Sequence, residues 1–195
     1  MGFTRAELES FHGTTVPDLV GDDVRLVFVG INPGLWTAAT ATHFAYPGNR
    51  FYPALYEAGI TDRLIVASDG WSVEDRQHLL DRGIAITNLC RRATARADEL
   101  SREELRRGAE DVERKIAAWS PRAVAVVGMT AYRIAFRMPS AQAGRQDDDL
   151  GAAPLWVLPN PSGLNAHETV ASLARAYRDP AEHAGLLRTR RAGCT

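Results

Sequence analysis

The stretch that most constrains this chain is Leu26-Val27-Phe28-Val29-Gly30-Ile31-Asn32-Pro33-Gly34. Its apolar half has no polar alternate, so a strand formed there must be covered on both faces, as strands of a parallel sheet are. The run then breaks at Gly-x-Asn-Pro-Gly, a tight loop at the strand's C-terminal end. Gly30 and Gly34 predict backbone angles closed to other residues, and Pro33 stiffens what lies between them. Asn32 is thereby expected on a rigid, exposed turn. An ordinary strand-to-helix connection accounts for the same nine residues, so the chemistry has to be argued from the rest of the chain.

Residues 1–23 are polar and broken by Gly13, Pro17 and Gly21, and read as an arm; 1–20 are expected to be flexible, as is the tail 181–195. After the first strand, Asn49 is placed to cap a helix over about 50–58, ending at Gly59. A second helix is expected over 72–81, with Val73, Leu79 and Leu80 on one face. Ile84 to Thr87 form a second strand ending at Asn88. Ser101 and Glu104 make a capping-box pattern that opens a charged helix to about Trp119. A third strand over 123–128 leads to a helix near 130–136. Residues 138–152 read as a mobile surface loop, and 155–158 as the fourth strand. Pro159 to Asn165 follow, then a last helix to about Tyr177.

Strands alternating with helices predict a three-layer α/β/α domain around a four-stranded parallel sheet. At 195 residues one such domain is accommodated and two are not. Sheets of this kind bind ligands at the carboxyl ends of their strands. The two richest loops, 30–34 and 159–165, are therefore expected on the same edge.

Several chemistries are disfavoured. The first loop lacks the Gly-Lys-Ser/Thr ending of a P-loop, Pro33 removes an amide donor, and Gly-x-Gly-x-x-Gly is absent. Ser162 lies in Pro-Ser-Gly and not in a Gly-x-Ser-x-Gly elbow. His12, His43, His78, His167 and His183 show no ligand spacing, and Cys90 and Cys194 are too few for a four-cysteine site, so no metal or cofactor is expected. The net charge of −1 does not announce a nucleic-acid binder. No apolar run approaches membrane-spanning length and the first ten residues are polar, which points to a cytoplasmic protein, brought to the nucleoid only by any DNA it binds.

Three linked segments carry a resemblance. Gly30-Ile31-Asn32-Pro33-Gly34-Leu35, Phe44-Ala45-Tyr46-Pro47-Gly48-Asn49-Arg50-Phe51 and Leu158-Pro159-Asn160-Pro161-Ser162-Gly163-Leu164 resemble the mismatch-specific uracil-DNA glycosylases, which group with the thymine-DNA glycosylases in the uracil-DNA glycosylase superfamily. The likeness runs from about residue 15 to 178 in the same order and spacing. It implies a four-stranded parallel sheet between helices and excision of uracil, or of thymine and other 5-substituted pyrimidines, opposite guanine. Double-stranded DNA containing the mispaired pyrimidine is the implied partner, with a monomer sufficient for the task.

By resemblance, Asn32 is the catalytic asparagine that positions a water at the sugar carbon. An amide cannot take that water's proton at neutral pH, so it orients and does little acid–base work. Phe44 matches the aromatic that stacks on the extruded base, with Ile31 lining the same pocket through its backbone and Asn160 in the substrate site. Asn88 and Thr94 match polar positions beside the pocket; the bacterial mismatch enzymes carry a lysine in place of Asn88. Asp98 is a candidate supporting carboxylate or, alternatively, an exposed loop residue ahead of the Ser101 cap. Gly163, Leu164 and Asn165 match the loop that enters the duplex, Leu164 as the wedge. Asn165-Ala166-His167 stands where the family commonly has an arginine.

Lys115 is the chain's one lysine, and it lies in the charged helix. Strand nicking through a Schiff base needs an amine at the sugar, so a monofunctional enzyme that leaves an intact abasic site is expected. Two other functions stay open on the same fold: a non-catalytic binder of damaged DNA, and a hydrolase of free nucleosides that would not need Leu164.

Overall fold

The computed structural model describes residues 2–163 and 165–187. Four parallel strands, β1 (Leu26–Gly30), β2 (Ile84–Asn88), β3 (Ala123–Val127) and β5 (Leu155–Leu158), carry the sheet. A two-residue strand β4 (Gly144–Arg145) is added antiparallel to β5, giving the order β2-β1-β3-β5-β4. This fifth strand lies in the stretch read as a surface loop, where two residues are too short for any alternation to show.

β1 is central and its first four residues are completely buried. Its side chains alternate as a strand's must. A short helix α2 (Leu35–Thr40) follows the loop after β1, and Leu26 and Phe28 join one core cluster with α3 (Phe51–Glu57), α4 (Val73–Asp81) and α7 (Val170–His183). Val27 and Val29 join the other, under α5 (Arg102–Trp119) and α6 (Met129–Ala135). The three layers are those expected. Burying a side chain such as Phe28 contributes roughly 1.5–3 kcal/mol.

The Ser101–Glu104 capping box forms as the sequence predicts. Asn49 does accept the Phe51 amide, although Arg50 holds the cap position itself. Val73 departs from its expected inner face and is 81% exposed, because α4 seats only Leu79 fully in the core. The stretch read as an N-terminal arm is built into the domain. It forms α1 (Arg5–Glu9) and then pairs Leu19 with Ile86 at the outer edge of β2, burying Val16 and Leu19. Leu186, in the stretch read as a tail, is also buried. Among the described residues no helix is long and apolar enough to cross a membrane.

Strand order reverses between β1 and β3, since β2 lies beyond one and β5 beyond the other. That switch point opens a crevice at the carboxyl edge of the sheet.

Candidate active site

A cleft of about 160 Å³ fills this crevice. It is smaller than the roughly 300–1,000 Å³ that drug-sized ligands need, so it suits a single ring better than a whole nucleotide. Its walls include Ile31, Asn32 and Gly34 after β1, Phe44 and Asn49, Asn88 at the end of β2, and Asn160 after β5. The two loops expected on one edge do meet there.

The orientation of Asn32 is fixed by its neighbours. Its Nδ2 donates to Pro33 O at 3.0 Å, Arg92 O at 3.2 Å and Thr94 Oγ1 at 2.7 Å. Two of these are carbonyls and accept only. Thr94 spends its own proton on Arg96 O, so it too must accept from Asn32. The nitrogen therefore faces the protein, and Oδ1, which takes no hydrogen bond from a described residue, is the atom free to serve the cleft. Thr94 itself is buried and is not part of the cleft wall. Expected to border the substrate, it stands behind Asn32 and aims it.

The loop backbone is held as firmly. Leu89 N donates to Gly30 O, Cys90 N to Ile31 O and Thr94 N to Pro33 O, continuing the β1–β2 pairing past the strand ends. Ile31 lines the cleft, with its carbonyl committed to Cys90. Arg92 ties the segment after β2 to the α5 cap through Glu104, with Nε to Oε1 at 2.5 Å. The guanidinium and the Ser101 donors hold the Glu104 carboxyl down at about 2.

Gly30 is needed for a reason other than the one the turn suggested. Neither Gly30 nor Gly34 has a positive φ. A Cβ on Gly30 would instead collide with Asn88 Oδ1 and touch Phe44. Asn88 Nδ2 lies 3.2 Å from Nδ1 of His43, whose Nε2 lies 2.9 Å from Pro17 O. A carbonyl needs a donor, so Nε2 carries the proton and Nδ1 accepts from Asn88. Burial also pushes the His43 pKa below its ordinary value, favouring this neutral form. Asn88 Oδ1 is thereby turned toward Gly30 and the cleft. In the sequence His43 is one more histidine without ligand spacing. What joins it to Asn88 is a contact across 45 positions, which no local pattern carries.

Phe44 adopts φ 56°, an uncommon conformation for an aromatic residue and one that costs of order 1–3 kcal/mol. Its surroundings enforce it. One face stacks on Phe51 with centroids 4.0 Å apart, and the buried Tyr52 hydroxyl donates to the preceding carbonyl, His43 O, at 2.8 Å. The ring is presented to the cleft already in place.

The loop after β5 is organised differently. Asn160 Oδ1 accepts from Ser162 N, and Asn165 Nδ2 donates to Asn160 O. Arg50 reaches over from the second motif and donates to the carbonyls of Asn165 at 2.9 Å, Ser162 at 3.3 Å and Gly163 at 3.4 Å. Gly163 sits so close to Gly48 O that a Cβ would meet it at 2.9 Å. Leu164 lies outside the described residues; Gly163 and Asn165, on either side of it, border the same edge.

One polar candidate falls elsewhere. Asp98 is exposed and bound by Arg96, while the cleft wall next to it is Ala97. Lys115 is fixed by Asp18 at 2.7 Å and Thr87 Oγ1 at 2.8 Å and does not line the cleft. Among the described residues no three His, Cys, Asp or Glu side chains gather as a metal ion would require.

A sequence profile described as Uracil DNA glycosylase superfamily matches residues 17–181. Among solved structures, the chain is similar to the solution NMR structure of a candidate uracil DNA glycosylase from Methanosarcina acetivorans. The TM-score is 0.60 at 14% identity, over 88% of this chain and 96% of that one. At that identity the likeness speaks for the fold.

Proposed function

The chain belongs to the uracil DNA glycosylase superfamily, and from that premise we propose that it is a monofunctional glycosylase acting on uracil mispaired with guanine in duplex DNA. It extrudes the base into the cleft and hydrolyses the N-glycosidic bond, beginning base excision repair. The observation that carries this reading is the locked Asn32 amide, whose oxygen alone is left to orient a water. Base departure precedes full attack in an oxocarbenium-like reaction, so orientation matters more than a strong base.

Asn88 complements Asn32 on the base side. With Nδ2 committed to His43, its oxygen suits an N–H donor such as N3 of uracil. Cytosine offers a bare acceptor at the same place and is disfavoured. Phe44 supplies the stacking surface, worth roughly 1–3 kcal/mol. Extrusion costs a few kcal/mol, least at a mispair, so the loop at Gly163–Asn165 has to supply the remainder. Of the small residues 37–40, Thr37 borders the cleft, and it is the position that governs acceptance of the thymine methyl. Lys115 is engaged by Asp18 and Thr87, which supports release of an intact abasic site.

The test is a labelled duplex with one G·U pair, followed by alkali. Wild type yields strand breaks only after alkali, and Asn32→Ala yields almost none. Binding without breaks would establish a damage binder instead; cleavage of free uridine but not of the duplex would establish a nucleoside hydrolase. Nicking without alkali would overturn the monofunctional assignment. A parallel G·T duplex reads the tolerance at Thr37.

A further inference from the structure

The chain's net charge of −1 conceals one strongly unbalanced surface. Arg102 and Arg106 lie one turn apart on α5, Arg133 lies on α6, and Arg137 lies just past the C-terminal end of α6. The four line a cleft of about 490 Å³ whose other walls are Thr130, Ile134 and Pro139, with no carboxylate among them. None of the four forms an ion pair among the described residues, whereas Arg92, Arg107, Arg114 and Arg145 each do. Arg133 is braced by two bonds to Ala141 O. Arg106 Nε is buried with no hydrogen-bond partner, a donor whose cost is relieved only when an acceptor arrives.

The arginine cleft also neighbours the base cleft through one intermediate hollow. Thr130 borders both it and a connecting hollow, and that hollow shares Ile31 and Asn160 with the base cleft. Four arginines around one cleft of this size match a run of successive phosphates better than one small anion, for which the space is too large.

We propose that Arg102, Arg106, Arg133 and Arg137 form a track that binds the phosphate backbone of the DNA flanking the extruded nucleotide. The proposal rests on the glycosylase reading for its location, but the charge term is independent of sequence and of damage. Each phosphate neutralised contributes about −0.9 to the slope of log K against log salt on duplex DNA.

Arg102→Gln/Arg137→Gln removes the two exposed members without touching the half-buried Arg106 and Arg133. Binding to an undamaged duplex across a salt series should lose about 1.8 from the slope's magnitude, two contacts at about 0.9 each. Single-turnover excision at saturating G·U duplex should be unchanged. Arg114→Gln, removal of one positive charge elsewhere on α5, should leave the slope unaltered. An unchanged slope in the double variant, with its melting temperature preserved, overturns the track while leaving the glycosylase reading intact. Absence of excision in wild type, with the slope change present, overturns the glycosylase reading and leaves the track. Inorganic phosphate alone is the remaining arm: tight binding that the double variant loses, with duplex binding unaffected, assigns the cleft to a free anion and overturns the proposal.

Discussion

Two loops meet at the base cleft, residues 30–34 after β1 and residues 159–169 after β5, and they are held in different ways. The first is an extension of the sheet: three backbone bonds continue its pairing with the chain beyond β2, and the two protons of Asn32 Nδ2 add ties to Arg92 O and Thr94 Oγ1. The second is held by its own short turns, by one backbone bond from Arg50 N to Pro161 O, and otherwise by the Arg50 guanidinium. The contrast matches the demands on each. A water must be aimed within a fraction of an ångström, and a misplacement of 1 Å costs about 10²-fold in rate. Under the proposed function the second loop enters a duplex and has to adapt to the DNA it meets, and a hold that rests largely on one flexible side chain permits that.

The comparison breaks most decisively at Asn32. Asn32→Asp replaces a donor with an anionic oxygen facing two carbonyls, so it should be worse than a simple loss of the amide. We expect excision to fall by at least about 10²-fold with a lowered melting temperature. Normal stability together with normal excision would mean that the three Nδ2 contacts do not constrain the loop. Gly30→Ala comes next. Its Cβ displaces Asn88, at an overpacking cost of about 1–3 kcal/mol, and discrimination between uracil and cytosine should narrow.

On the other loop, Arg50→Gln should weaken binding to a G·U duplex by roughly 5–30-fold, the equivalent of about 1–2 kcal/mol, with the single-turnover rate at saturation little changed. An equal fall in rate and affinity would show the second loop to be as tightly coupled to the chemistry as the first.

The smallest effect is that of pH on His43. Its folded pKa lies below the ordinary 6.5, so at pH between the two values the unfolded chain binds a proton that the folded chain does not. Stability from this group is complete above pH 6.5 and declines as the pH falls toward the folded value. Protonation would also place a second donor against Asn88 Nδ2 and turn its oxygen from the base. Asp18 and Lys115 act on the ring with opposite signs. Melting temperature and excision should both decline between pH 7 and 5 in wild type, and His43→Gln should flatten that difference.

The sequence carried the layers and the edge on which the loops meet, because buried strands and capping boxes are written in neighbouring residues. It carried Asn32 and Phe44 as parts of linked motifs, and Asn88 as the residue that ends the second strand. It could not carry their orientation. Asn32 is aimed by Arg92 O and Thr94, 60 and 62 positions away, and Asn88 by a histidine 45 positions earlier. Gly30 shows the same limit: the residue was legible as special, but the turn conformation it suggested is not the reason, which lies in Asn88 on the neighbouring strand. Arg50 stood inside a recognised motif, yet its hold on the loop more than 110 positions later appears only once the fold brings them together.

The most direct measurement is a double-mutant cycle in single-turnover excision on a G·U duplex, using Asn32→Ala, Thr94→Val and the pair. If Thr94 acts by aiming the Asn32 amide, Thr94→Val costs about tenfold in the wild-type background and nothing further once Asn32 is alanine. An equal cost in both backgrounds would mean that the amide is not aimed by the contacts described, and the account of the site would fail.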